Sequence, residues 1–156
     1  MPRNYLFFGA LVLVACSSVP PRNQPGPAQT PEAVIQALAA AGVPYHRGGQ
    51  SPASGFDCSG LVAHVFREAY GIRLPHNARA QSRMGKAVSP ARLQAGDLVF
   101  YNTERPFSHV GIYLGDDRFI HAPRPGASVR VKNMRSLYWE RRFDGARRIG
   151  PDQDAR

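Results

Sequence analysis

The hydrophobic period of this chain changes once, at Gly96-Asp97, and that change decides which folds are open to it. Ahead of it, apolar residues recur at helical spacing. Leu61, Val62, Val65, Phe66 and Ala69 mark one face of a helix expected over 58–70, with Gly71 as its stop. An earlier helix is expected over 33–41, turned inward by Val34, Ile35, Leu38 and Ala41 and halted by Gly42 and Pro44. Thr30 is its expected N-cap and Pro31 its first residue. A short third helix is expected over 77–84, ending at Gly85. Beyond Gly96-Asp97 the apolar runs are brief and rich in branched and aromatic residues, at 98–101, 110–114, 118–122 and 129–131, with a last run near 147–149 after an aromatic turn at Leu137-Tyr138-Trp139. Helices first and hairpin-linked strands second predict an α+β domain, its N-terminal helices packed on a central antiparallel sheet of about five or six strands.

The first 30 residues follow a different logic. Arg3 precedes an apolar run of 11 residues, Tyr5 to Ala15, broken only by Gly9. That is too short for an ordinary transmembrane helix and fits the core of a secretory signal. The run ends in Leu13-Val14-Ala15-Cys16, which is similar to the bacterial lipobox, so Cys16 is the expected lipidation site and 1–15 the signal peptide. Two or three acyl chains make a stable membrane anchor where one would be marginal. Ser17, rather than an aspartate, follows Cys16 and points to the outer membrane. From 16 to 30 the chain is rich in proline and lacks a large apolar cluster, as a semi-extended tether would be. At about 3.1 Å per residue such a tether reaches on the order of 45 Å. The folded domain is then expected over 31–150, with 151–156 as a flexible tail.

Charge and cysteine content narrow the function classes. Twenty Lys+Arg stand against 11 Asp+Glu, a formal net charge of +9. The arginines are dispersed and no basic helix stands out, so nucleic acid is not the expected partner, and an anionic envelope polymer fits better. On such a polymer the attraction would weaken as salt rises. Only two cysteines occur. With Cys16 given over to lipid, Cys58 stands alone in a compartment where paired thiols become disulfides. A solitary exported cysteine is either an inert core residue or one kept for its chemistry, and the residues alone leave both open.

The surroundings of Cys58 are compatible with a nucleophile. It sits in Phe56-Asp57-Cys58-Ser59-Gly60, at the expected start of a helix, where unpaired N–H groups and the helix dipole favour a thiolate. Asp57 and Ser59 flank it with polar groups that could serve substrate or oxyanion, and free backbone N–H groups would supply part of an oxyanion hole. Of the five histidines, His64 faces away around the helix, and His46 and His76 lie in loops where solvent exposure is the default. His109 and His121 flank one hairpin. A three-residue loop at 115–117 would pair Leu114 with Arg118 and Gly111 with His121, leaving His109 diagonal to His121 on one face. A two-residue loop would put the two rings on opposite faces. On the odd-length loop, His109 is assigned as base and ion-pair partner of Cys58, and His121 as the residue that orients His109. No close pair of ligands such as CxxC or HxxxH occurs, so neither a metal nor a cofactor is expected.

Five pieces in order carry a resemblance: Tyr45-His46-Arg47-Gly48-Gly49, Phe56-Asp57-Cys58-Ser59-Gly60, Ala95-Gly96-Asp97-Leu98-Val99-Phe100, Ser108-His109-Val110-Gly111-Ile112-Tyr113 and Phe119-Ile120-His121-Ala122. Together the chain resembles the NlpC-type cell-wall endopeptidases of the papain-like superfamily, over roughly residues 31–150. The resemblance implies a papain-like fold and a Cys-His-His triad at Cys58, His109 and His121. It also implies peptidoglycan stem peptides as substrate, and a place for Tyr45 in the active-site lining. With the lipobox it implies a lipid-anchored hydrolase on the periplasmic side of the outer membrane, expected to act as a monomer. A catalytically inactive muropeptide-binding lipoprotein, or a related amidase or acyltransferase, is the alternative.

Overall fold

The computed structural model describes residues 31–150, so the signal, Cys16, the tether, the cap at Thr30 and the tail lie outside the described residues. Helix α1 spans Glu32–Ala39 and is capped by Pro31 without a side-chain bond. Its buried face is Ala33, Val34, Ala37 and Ala40, whereas Ile35 and Leu38 are about half exposed and Ala41 is exposed. The expected inward face is therefore corrected. Three alanines let α1 approach the rest of the core closely, which turns the bulky Ile35 and Leu38 outward.

A small hairpin that the periodicity did not announce follows, β1 (Gln50–Ser51) with β2 (Gly55–Phe56). It leads straight into helix α2, Cys58–Tyr70, whose bounds are those expected. Asp57 caps it, its carboxylate accepting from the Gly60 N–H at 2.8 Å. Gly71 ends it in the left-handed region at φ 69°. Leu61, Val62, Val65 and Phe66 are fully buried against the sheet, each worth roughly 1.5–3 kcal/mol relative to exposure. Helix α3 is one turn, Ala78–Gln81, capped by Asn77, and so shorter than expected. After Met84 the chain is drawn into the sheet as β3 (Lys86–Val88), which pairs with a distant strand and could not be read from local pattern.

The main sheet is six-stranded and antiparallel, with the order β3-β8-β4-β5-β6-β7. Its other members are β4 (Leu98–Tyr101), β5 (His109–Gly115), β6 (Arg118–His121), β7 (Arg130–Asn133) and β8 (Phe143–Arg148). A short helix α4, Leu137–Glu140, replaces the aromatic turn. Both faces of the sheet are covered. Leu98, Phe100, Val110, Ile112 and Ile120 face the helices, while Val99, Tyr101, Tyr113 and Phe119 form a second cluster with Trp139 and Ala146. This explains why Leu98–Tyr101 is apolar at every position rather than at alternate ones. Asp97, 2% exposed, holds the last strand to the entry of β4 through two bonds from the Arg148 guanidinium at 2.7 and 2.8 Å.

Candidate active site

The hairpin between β5 and β6 sets the relation of the two histidines. Gly115 pairs with Arg118, so the turn is the two residues Asp116 and Asp117, both at positive φ (51° and 57°). Aspartate tolerates that region better than most residues, and a pair of such residues makes the tight turn whose twist matches the strands. Leu114 does not pair with Arg118 as expected. The register shifts between Tyr113 and Gly115, leaving Leu114 in a bulge. A two-residue turn plus one bulged residue has the parity of a three-residue loop. Beyond the bulge, Tyr113 pairs with Phe119 and Ile112 with Ile120, and the next position sets Gly111 opposite His121. A Cβ on Gly111 would come within 2.7 Å of the Ile120 carbonyl oxygen and of the Phe119 ring. Only glycine lets the strands close there.

The two rings therefore share a face and meet: His109 Nε2 lies 2.7 Å from His121 Nδ1, with the rings perpendicular at 5.0 Å between centroids. Both are buried, His121 completely. Trp139 stacks on His109 at 5.6 Å, and Phe119 and Trp139 close around His121 at 5.0 Å. The far nitrogen of His121, Nε2, has no partner among the described residues. Trp139 is the only tryptophan of the chain, and its place over the histidine pair was not legible from sequence, where it read only as part of a turn.

Cys58 is half-buried at the first position of α2. The backbone N–H groups of Ser59, of Cys58 itself and of Val110 act on its sulfur and favour ionisation. Val110 follows His109 directly, so the sulfur lies beside the start of β5. These donors do not prevail. Burial, and then the Asp57 carboxylate, push the thiol up to about 11. Burial pushes His109 down to about 4 and, with the nearby charges on His109, Arg130 and Lys132, pushes His121 to about 2. Burial thus opposes both the thiolate and the imidazolium of the expected ion pair, while the backbone donors favour the thiolate. Desolvation disfavours both charged forms at once, and a carboxylate one residue away opposes a thiolate.

The remaining sequence candidates fall into two groups. Tyr45 packs on the same core cluster as Cys58: its phenol is raised by burial and then by the charges on Cys58 and Asp57, and its main chain is fixed by a bond from its N–H to the Ala127 carbonyl at 2.8 Å. The side chains of Asp57 and Ser59 turn instead into the scaffold. Asp57 accepts from the Gly60 N–H, from the Gly48 N–H at 2.9 Å and from His76 Nε2 at 2.7 Å, and Ser59 donates to it at 3.4 Å. Ser59 is 6% exposed, and its carbonyl accepts from Gln81 Nε2. Of the two, Ser59 offers the sulfur its backbone N–H, while Asp57 acts on it through charge. His76, read from sequence as a loop residue, is thus the brace of the nucleophile's helix start. Gly60 belongs to the same brace, since a Cβ there would strike the Gly49 carbonyl oxygen. His64 packs beside Phe56 with ring centroids 5.0 Å apart, away from the pair, as its helical position predicts.

The chain is similar to known proteins in both sequence and fold. Over 108 residues the chain is 43% identical to the murein DD-endopeptidase MepS/murein LD-carboxypeptidase of Escherichia coli K12, covering 69% of this chain and 56% of that protein. It is 44% identical over 110 residues to the gamma-DL-glutamyl hydrolase of Bacillus subtilis 168, covering 69% of this chain and 26% of that one. The chain thus spans little more than half of the first relative and about a quarter of the second. Among solved structures, the NlpC/p60 domain of the peptidoglycan hydrolase SagA superposes with a TM-score of 0.69 at 33% identity, over 78% of this chain and 99% of that domain. Residues 42–148 match the NlpC/P60 family, and with the fold and the ordered motifs in agreement, the chain belongs to that family.

Proposed function

We propose that this protein is a peptidoglycan hydrolase, a cysteine endopeptidase that cuts amide bonds in cell-wall stem peptides or their crosslinks through a thioester on Cys58. The observation that carries the reading is the buried 2.7 Å bond between His109 and His121 at the strand end beside Cys58. For His109 Nδ1 to accept the thiol proton, the ring's own proton must sit on Nε2, and the bond to His121 Nδ1 holds it there. The thiol proton passes to His109 as the sulfur attacks. The tetrahedral oxyanion is met by backbone N–H groups at the start of α2. His109 then protonates the leaving amine, and water, activated by the same ring, hydrolyses the thioester. Tyr45 lines the acyl side, while Asp57 and Ser59 act by fixing the helix start. The names of two relatives, a murein endopeptidase and a peptidoglycan hydrolase, support a wall-peptide substrate.

The same reading assigns 1–15 as signal peptide, 16–30 as lipidated Cys16 and tether, 31–150 as the peptidase domain and 151–156 as a tail. The enzyme would work, as a monomer, from the periplasmic side of the outer membrane. Attachment to the membrane is assigned to acyl chains on Cys16. Two experiments test these statements. Purified protein incubated with sacculi should release muropeptide fragments identifiable by mass spectrometry, and Cys58→Ala should release none. Undiminished release by that variant would overturn the thiol mechanism. Cys16→Ala should shift the protein from the membrane fraction to the soluble one, and a protein that stays membrane-bound would refute the anchor.

A further inference from the structure

The face of the sheet that carries the histidine pair opens into a cavity of about 990 Å³. His109, His121 and Trp139 border it on one side and the outermost strand, β7, on the other, whereas Cys58 is not among its lining residues. Strand register decides which β7 side chains share that face. Lys132 pairs with Phe119 and Arg130 with His121, and directly paired residues project to the same side. Both charges act on the His121 ring. Neither has a carboxylate partner among the described residues, whereas Arg118 is matched by Asp116 and Arg135 by Asp117. Glu104, at the opposite lip, is the one acidic residue in the lining. Charges on an edge strand also guard against edge-to-edge pairing. That role alone does not require both cations to border the cavity beside His121.

Chemistry orients the rest. In acyl transfer the acyl half of the substrate lies over the nucleophile, and the leaving amine receives its proton from the imidazole. A cavity bordered by both imidazoles and not by the sulfur therefore receives the amine half. We propose that Arg130 and Lys132 form a carboxylate-binding subsite for the leaving-group half of the substrate. The enzyme then prefers amides whose amine side carries a free carboxylate. This inference rests on the hydrolase reading above.

The test uses two synthetic peptides in which acetyl-D-alanine is linked to the side-chain amine of diaminopimelate, with the diamino acid's carboxyls free in one and amidated in the other. Their binding to the full-length Cys58→Ala protein is measured by calorimetry. The free-carboxylate peptide should bind about tenfold more tightly, which is roughly 1.4 kcal/mol. The advantage should vanish in the Arg130→Gln/Lys132→Gln background and persist in Arg130→Lys. Equal affinities, or a preference that survives the double glutamine substitution, would overturn the subsite. Turnover of both peptides by the unsubstituted protein is scored separately. Turnover of both without a binding preference defeats the subsite alone. Preferential binding that Arg130 and Lys132 control, without turnover, supports the subsite and defeats the hydrolase reading.

Discussion

Replacing His121 with phenylalanine keeps a ring in the aromatic cluster and removes the nitrogen that meets His109. The bond lost is 2.7 Å long, and both partners are buried, at 5% and 0% exposure, so solvent cannot replace it. A buried N–H deprived of its acceptor costs about 1–3 kcal/mol. His109 can escape that cost by moving its proton from Nε2 to Nδ1, but Nδ1 is the atom that must accept the proton of Cys58. The same 1–3 kcal/mol is then read as a shrunken active tautomer population. At 1.36 kcal/mol per decade it corresponds to a loss of roughly 5- to 150-fold in rate. The assay is steady-state hydrolysis of a stem peptide, with kcat carrying the loss because His121 acts only through His109. Nitrogen-15 shifts of the His109 ring should show the proton relocating to Nδ1. His121→Asn, which restores an acceptor, should recover part of the rate. A folded His121→Phe protein with kcat within twofold of the unsubstituted enzyme would refute the tautomer argument.

Other outcomes follow from the electrostatics. Asp57→Asn keeps the helix cap but removes a charge that raises Cys58, so the pH profile of Cys58 alkylation should move to lower pH. An unmoved or upward profile would contradict the assigned cause. His109 and His121 are held below their ordinary value when folded, while the unfolded chain binds their protons near pH 6.5. The stability they contribute is present above that pH and is lost on acidification, by up to about 1.4 kcal/mol per pH unit for each ring. Denaturant midpoints should therefore fall between pH 7 and 5, and fall less in His121→Phe, which has one such ring fewer. Equal slopes in the two proteins would count against buried neutral imidazoles.

The parts of the fold legible in sequence are those with local causes. Helix α2 ran from Cys58 to Tyr70 as read, because Asp57 and Gly71 terminate it within their own neighbourhoods. The pairing of His109 with His121 was legible through parity, although the device differed: the chain makes a tight Asp116-Asp117 turn and restores the register with a bulge at Leu114. What escaped was set at a distance. The β3 strand gains its partner from β8, His76 finds Asp57 across 19 positions, and Trp139 reaches the histidines from a separate helix. The face of α1 was misread because hydrophobicity ranks Ile35 and Leu38 above alanine, while close packing selects Ala33, Ala37 and Ala40. The burial of Cys58 was illegible for a related reason. A helix start argues for a thiolate, but the burial that opposes it has no local signature.

A covalent intermediate on Cys58 is the most direct test of the whole account. Protein mixed with a stem-peptide substrate, quenched in acid within milliseconds and weighed intact, should gain the mass of the acyl half. Proteolysis should map that mass to the peptide containing Cys58, and the Cys58→Ala protein should gain none. Continued hydrolysis by the Cys58→Ala protein, or an acyl mass mapped to any other residue, would contradict it.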